Sequence, residues 1–140
     1  EFTVCSAGHL PPVLAVPGRE SELVDVPVGP PLGAVKGIKR ASTTVMLPAG
    51  GVLLLYTDGL VERREENLDQ GLGRLCVAVH PGHPETVCRS VMHSLVDDTV
   101  ADDIALLAIR RTADPTPHGV AGGEVAHRPA IIRPDPSALV

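Results

Sequence analysis

Apolar and polar positions fall into three kinds of run along this chain. Val52-Leu53-Leu54-Leu55-Tyr56 is continuously apolar and has no polar face, which predicts a central strand covered above and below. Shorter, more mixed segments at Phe2 to Ser6, Val13 to Val16, Glu22 to Val26 and Thr43 to Leu47 predict half-buried strands. The first three read as a meander, with Pro17-Gly18 as a turn, and Pro48-Ala49-Gly50-Gly51 reads as a hairpin joining Thr43–Leu47 to the central strand. The Pro- and Gly-rich stretch Pro27 to Gly37 reads as a loop. Helical spacing then takes over. Leu72, Leu75 and Val79 share one side of a helix predicted over Leu68 to Val79, and Val87, Cys88, Val91 and Leu95 form the stripe of a second over Glu85 to Val96, with Pro84 where a first turn tolerates it. Ile104 to Ile109 is a last apolar strand, ended by Arg110-Arg111. Strands, then two helices, then a returning strand predict an α+β layered domain rather than a βαβ series. From residue 112 onward Pro, Gly, Ala and His occur without periodicity, so a folded unit over 1–111 and a disordered tail over 112–140 are expected.

Composition narrows the functions available. At 140 residues and 44% hydrophobic content the chain can build one core. It has no run of 18 uncharged apolar residues and no charged segment followed by an apolar one, so no membrane span is predicted and a cytoplasmic location is expected. Cys5, Cys76 and Cys88 show no C-x-x-C spacing and are expected to be reduced core thiols. A net charge of -5 and only two aromatics, Phe2 and Tyr56, leave neither a basic face nor a stacking platform for nucleic acid. The first residue is Glu1 and strand-like sequence begins at Phe2, so a fragment of a larger domain is expected.

The candidate chemistry lies in carboxylates. Tyr56-Thr57-Asp58-Gly59 places an acid at the end of a buried strand, with a glycine behind it that lets the backbone turn sharply. A carboxylate so placed is aimed rigidly and suits a hard cation such as Mg²⁺ or Mn²⁺. The plainer alternative is an Asx turn at Asp58. Asp102-Asp103 stands just before the last strand, in a turn with Asp97 and Asp98. If that strand runs antiparallel to Val52–Tyr56, the two acidic segments meet. His9 reads as a turn residue, and His80 and His83 as loop residues without helical metal-binding spacing. Arg63-Arg64, among Glu62, Glu65 and Glu66, reads as a solvated charged stretch.

Four motifs in order carry a resemblance: Ser6-Ala7-Gly8-His9 with Pro11-Pro12, Gly29-Pro30-Pro31-Leu32-Gly33, Leu54 to Glu62 around Thr57-Asp58-Gly59, and Asp102-Asp103-Ile104-Ala105-Leu106-Leu107. Over about Phe2 to Arg110 the chain resembles the protein phosphatase 2C-like (PPM) family, in the bacterial branch named after sporulation stage II protein E. The resemblance implies a layered α/β/β/α sandwich, incomplete here at its N-terminus, with a two-metal site for Mn²⁺ or Mg²⁺. It implies hydrolysis of phosphoserine or phosphothreonine by a metal-activated water. Carried over by motif, Asp58 and Asp102 are the catalytic metal ligands, Gly59 contributes through its backbone, and Asp103 stands where eukaryotic members often have asparagine. The implied partner is a phosphorylated regulatory protein of the anti-sigma-factor antagonist type, with a sensory or regulatory domain upstream in the parent protein. The family also uses an Asp-Gly from an early strand, and this chain has no Asp-Gly before Asp58. Weak or absent turnover is therefore expected of the chain alone, as is self-association through open sheet edges. The alternatives are a non-catalytic phosphatase-like binding module and an inactive fragment.

Overall fold

A computed structural model of the chain describes residues 1–64, 66–97 and 102–112. In chain order its elements are β1 (Phe2–Val4), β2 (Ser6–Ala7), β3 (Val13–Ala15), β4 (Glu22–Leu23), β5 (Val28–Gly29), β6 (Thr43–Val45), β7 (Val52–Tyr56), α1 (Leu68–Ala78), α2 (Pro84–Leu95) and β8 (Leu106–Arg110). The expected tail, Thr112 apart, lies outside the described residues, as do Glu65 and Asp98. Among the described residues no helix is long and apolar enough to cross a membrane.

The continuously apolar run is the inner strand β7 of a four-stranded sheet ordered β4-β3-β7-β8. All its pairings are antiparallel, with Leu54 opposite Val13 on one side and Ala108 on the other. Because side chains alternate across a strand, β7 serves two cores. Val52, Leu54 and Tyr56, with Val13 and Ala15, pack under α1 and α2. Leu53, with Leu14 and Ile109, packs on the other side against Val24, Val26, Val45, Leu47, Phe2 and Val4. The layers are therefore two helices, the four-stranded sheet, and a two-stranded β1-β6 sheet. This mixed layering agrees with the α+β expectation.

Both helices form where the stripes place them. Asn67 closes a capping box with Gln70 at the start of α1, and Pro84 occupies the first turn of α2. The expected helix-face residues Leu72, Leu75, Val79, Val87, Cys88, Val91 and Leu95 are all buried.

Three expectations are corrected. The first strand is not part of a meander: it breaks at Cys5, so that β1 pairs with β6 while β2 pairs in parallel with β5, inside the segment expected to be a loop. Pro48 to Gly51 is not a hairpin, because β6 and β7 belong to different sheets. The turn, closed by Gly51 N donating to Pro48 O at 2.9 Å, carries the chain from one sheet to the next, which lets Leu47 and Leu53 share a core. Cys5 is exposed rather than a core thiol, whereas Cys88 is buried and Cys76 partly so.

Candidate metal centre at the end of the central sheet

The antiparallel pairing of β7 with β8 brings the end of one beside the start of the other, with Tyr56 opposite Leu106. Both candidate acidic segments therefore lie at the same end of the sheet. One residue beyond the ladder, the pairing continues through Thr57. Its N–H donates to Ala105 O at 3.1 Å, its hydroxyl donates to Asp103 O at 3.0 Å, and the hydroxyl accepts from Ala105 N at 2.8 Å. That substitution of a side-chain acceptor for a backbone carbonyl is why β8 begins at Leu106 and not at Ile104.

Asp58 opens a single 3-10 turn, Asp58–Leu60, whose end is fixed by Val61 N and Glu62 N donating to Asp58 O at 2.8 and 2.9 Å. The Asp58 Oδ1 accepts from Gly59 N at 3.0 Å, and Asp102 Oδ1 accepts from Asp103 N at 2.8 Å. Each carboxylate is thus oriented by the next residue's backbone, while the residues themselves remain exposed.

Gly59 acts differently from the sequence expectation. Its φ is not positive, so the turn itself does not demand glycine. The demand is steric: a Cβ at this position would stand 2.8 Å from Asp103 O and 3.0 Å from Asp102 O. Gly59 is the contact across which the two acidic segments meet. A similar close approach sets α1 against the same turn, since a Cβ on Gly71 would collide with Val61 O.

The candidate donors are carboxylates. Among the described residues no arginine, lysine or histidine forms an ion pair with Asp58, Asp102 or Asp103. Such neighbouring acidic groups without a counter-cation suit Mg²⁺ or Mn²⁺. Yet no group of three or more His, Cys, Asp or Glu among the described residues is arranged to hold a metal ion. Asp58, Asp102 and Asp103 therefore do not by themselves make a three-ligand group.

A mostly apolar cleft of about 370 Å³ adjoins this end, lined by Val4, His9, Leu10, Leu55, Thr57 and Leu107 among others. One wall is fixed by Tyr56, whose hydroxyl donates to Pro11 O at 2.9 Å. Burial first, and Cys76 second, push its phenol well above the ordinary value. The Ser6 hydroxyl donates to His9 O at 2.8 Å, closing the turn read at that position. His80 and His83 are exposed in the connection between the helices.

Sequence reasoning missed Arg63. It is half-buried, and its guanidinium donates to the carbonyl oxygens of Glu62 (2.8 Å), Gly59 (3.4 Å) and Leu95. No local pattern distinguishes it from the neighbouring Arg64.

Comparison with known proteins bears on the family and the fold. The family model described as Stage II sporulation protein E matches residues 1–112. The structure is similar to the RsbU and RsbW domains of Rv1364c from Mycobacterium tuberculosis, with a TM-score of 0.69 and 31% identity over 83% of this chain and 33% of that one. It also shares its fold with the PP2C phosphatase domain, solved with a fragment of the regulatory domain, of the cell fate determinant SpoIIE from Bacillus subtilis. There the TM-score is 0.61 and the identity 18%, over 81% of this chain and 35% of that one. The chain spans about a third of the length of these solved chains. A chain matched by the family model over four-fifths of its length, with the same layered fold, belongs to the SpoIIE family of PP2C-like phosphatase domains.

Proposed function

We propose that this chain is the C-terminal part, over residues 1–111, of a metal-dependent protein serine/threonine phosphatase domain. The observation that supports this most is the contact of Gly59 with the Asp102–Asp103 peptide, which sets two acidic turns side by side at one sheet end. Asp58 and Asp102 would hold Mn²⁺ or Mg²⁺ through carboxylate oxygens, with Gly59 and Asp103 contributing to the same centre. A bound divalent ion supplies a nucleophilic water at neutral pH and neutralises charge on phosphoryl oxygens. The chain's residues orient their carboxylates through the Gly59 and Asp103 amides and fix the two segments through Thr57.

The substrate in this reading is phosphoserine or phosphothreonine on a regulatory protein of the anti-sigma-factor antagonist type. Support comes from the Mycobacterium tuberculosis relative, in which an RsbU and an RsbW domain belong to one protein. A cytoplasmic location and a regulatory domain elsewhere in the parent protein belong to the same proposal. A second reading, a phosphatase-like module that binds without turnover, draws support from the absence of a three-ligand group among the described residues.

The test is hydrolysis of p-nitrophenyl phosphate and of a phosphoserine peptide by the 140-residue chain, with and without Mn²⁺. Mn²⁺ binding without turnover is expected, and binding should disappear in Asp58→Asn. Turnover that persists in Asp58→Asn or in excess chelator would overturn the assignment.

A further inference from the structure

We infer that Arg63 is a positioning residue that fixes the Asp58 turn and the approach to Asp102 as one unit. This rests on the metal-site reading above. Arg63 lies four residues beyond Gly59, and its Nη1 donates to Gly59 O and Glu62 O while its Nη2 donates to Leu95 O. Leu95 is the last residue of α2, where carbonyls lacking partners along the helix concentrate partial negative charge. A guanidinium satisfies such carbonyls with a fork of fixed geometry that a lysine ammonium does not reproduce.

The consequence runs through Gly59. Arg63 ties the carbonyl of Gly59 to the end of α2, whose Leu95 is buried in the core. Gly59 in turn lies against the Asp102–Asp103 peptide, close enough that a Cβ there would stand 2.8 Å from Asp103 O. Loss of the guanidinium loosens the Asp58–Leu60 turn at Gly59, and with it the contact that places Asp102–Asp103, while both carboxylates remain present.

The test uses Arg63→Ala and Arg63→Lys, with Arg74→Ala as a control that removes only an exposed ion pair to Glu66. Two quantities are measured on the 140-residue chain: the Mn²⁺ dissociation constant by calorimetry and amide hydrogen exchange at Asp103 and Ala105 without metal. Removing a group that orients metal ligands typically weakens metal affinity about 10- to 100-fold. About a tenfold weakening is expected for Arg63→Ala, with faster exchange at both amides, partial recovery in Arg63→Lys and no change in Arg74→Ala. If Arg63→Ala binds Mn²⁺ within about twofold of the parent while Asp58→Asn abolishes binding, Arg63 is only a surface brace and the inference fails. If the parent binds no Mn²⁺, the metal reading fails by itself, and unchanged exchange in Arg63→Ala then also removes the positioning role.

Discussion

The two faces of the central sheet are covered unequally. Under α1 and α2, Val13, Ala15, Val52 and Leu54 are fully buried and Tyr56 is 7% exposed. On the opposite face Leu53 is buried beneath the β1-β6 sheet, but Leu55 is 36% and Leu107 42% exposed at the end where that small sheet stops. The two faces therefore differ in how much of the fold they stabilise. The helix face has a complete apolar core, whereas the incompletely covered face opens into the cleft beside the Asp58 and Asp102 turns.

Truncating the two faces should separate them. Leu75, fully buried under the sheet, should lose about 2–5 kcal/mol of stability as Leu75→Ala, because a cavity is left in a packed core. Leu55→Ala should lose under about 1 kcal/mol, since much of its surface already meets water. Denaturant unfolding of both variants checks the ordering, and equal losses would mean that the second face is as well packed as the first.

Gly59→Ala should act at the site rather than on the core. Its methyl group would be pressed against the Asp102–Asp103 peptide, so Mn²⁺ affinity should fall about tenfold or more, as when ligand orientation is lost. A variant with parental affinity would show that the two turns need not touch.

Alkaline pH should weaken the helix-face core in particular. Burial raises the Tyr56 phenol above its ordinary 10.0 and the Cys88 thiol above its ordinary 9.0, the latter opposed in part by a hydrogen bond with the Ala108 backbone. Both groups stay protonated in the folded chain at pH values where the unfolded chain ionises them. Above those ordinary values the unfolded state binds fewer protons, so stability falls as pH rises through 9 and 10. Tyr56→Phe should lose about 1 kcal/mol near neutrality, from the bond to Pro11 O, and should show a shallower alkaline decline in thermal midpoint.

Association should respond separately from stability. Replacing both Leu55 and Leu107 by serine should reduce self-association in sedimentation velocity, because β8 is an edge strand with an exposed apolar residue. Unchanged sedimentation would place the sticky surface elsewhere.

How much of this was legible in the sequence depended on range. The β7 run and both helical stripes could be read because their periodicities are local, and the layered α+β class followed from their order. The β1-β6 and β2-β5 pairings could not, since strands of two or three residues carry little pattern and their partners lie far apart in the chain. The places of Asp58 and Asp102–Asp103 at one end of the sheet could be read from their positions beside apolar strands. Gly59 was singled out for the wrong reason, because a close contact leaves no mark on local sequence. Arg63 was passed over because its anchor at Leu95 depends on helix packing, and a charged cluster looks solvated when read along the chain.

If Asp58 and Asp102 share one cation site, calorimetric titration of Mn²⁺ into the parent chain, Asp58→Asn, Asp102→Asn and the double variant will show it. Either single substitution should abolish most of the binding and the second should add little, as expected for coupled ligands. Binding that survives in Asp102→Asn while Asp58→Asn loses it would contradict a shared site, and four indistinguishable titrations would leave Asp58 as a turn residue alone.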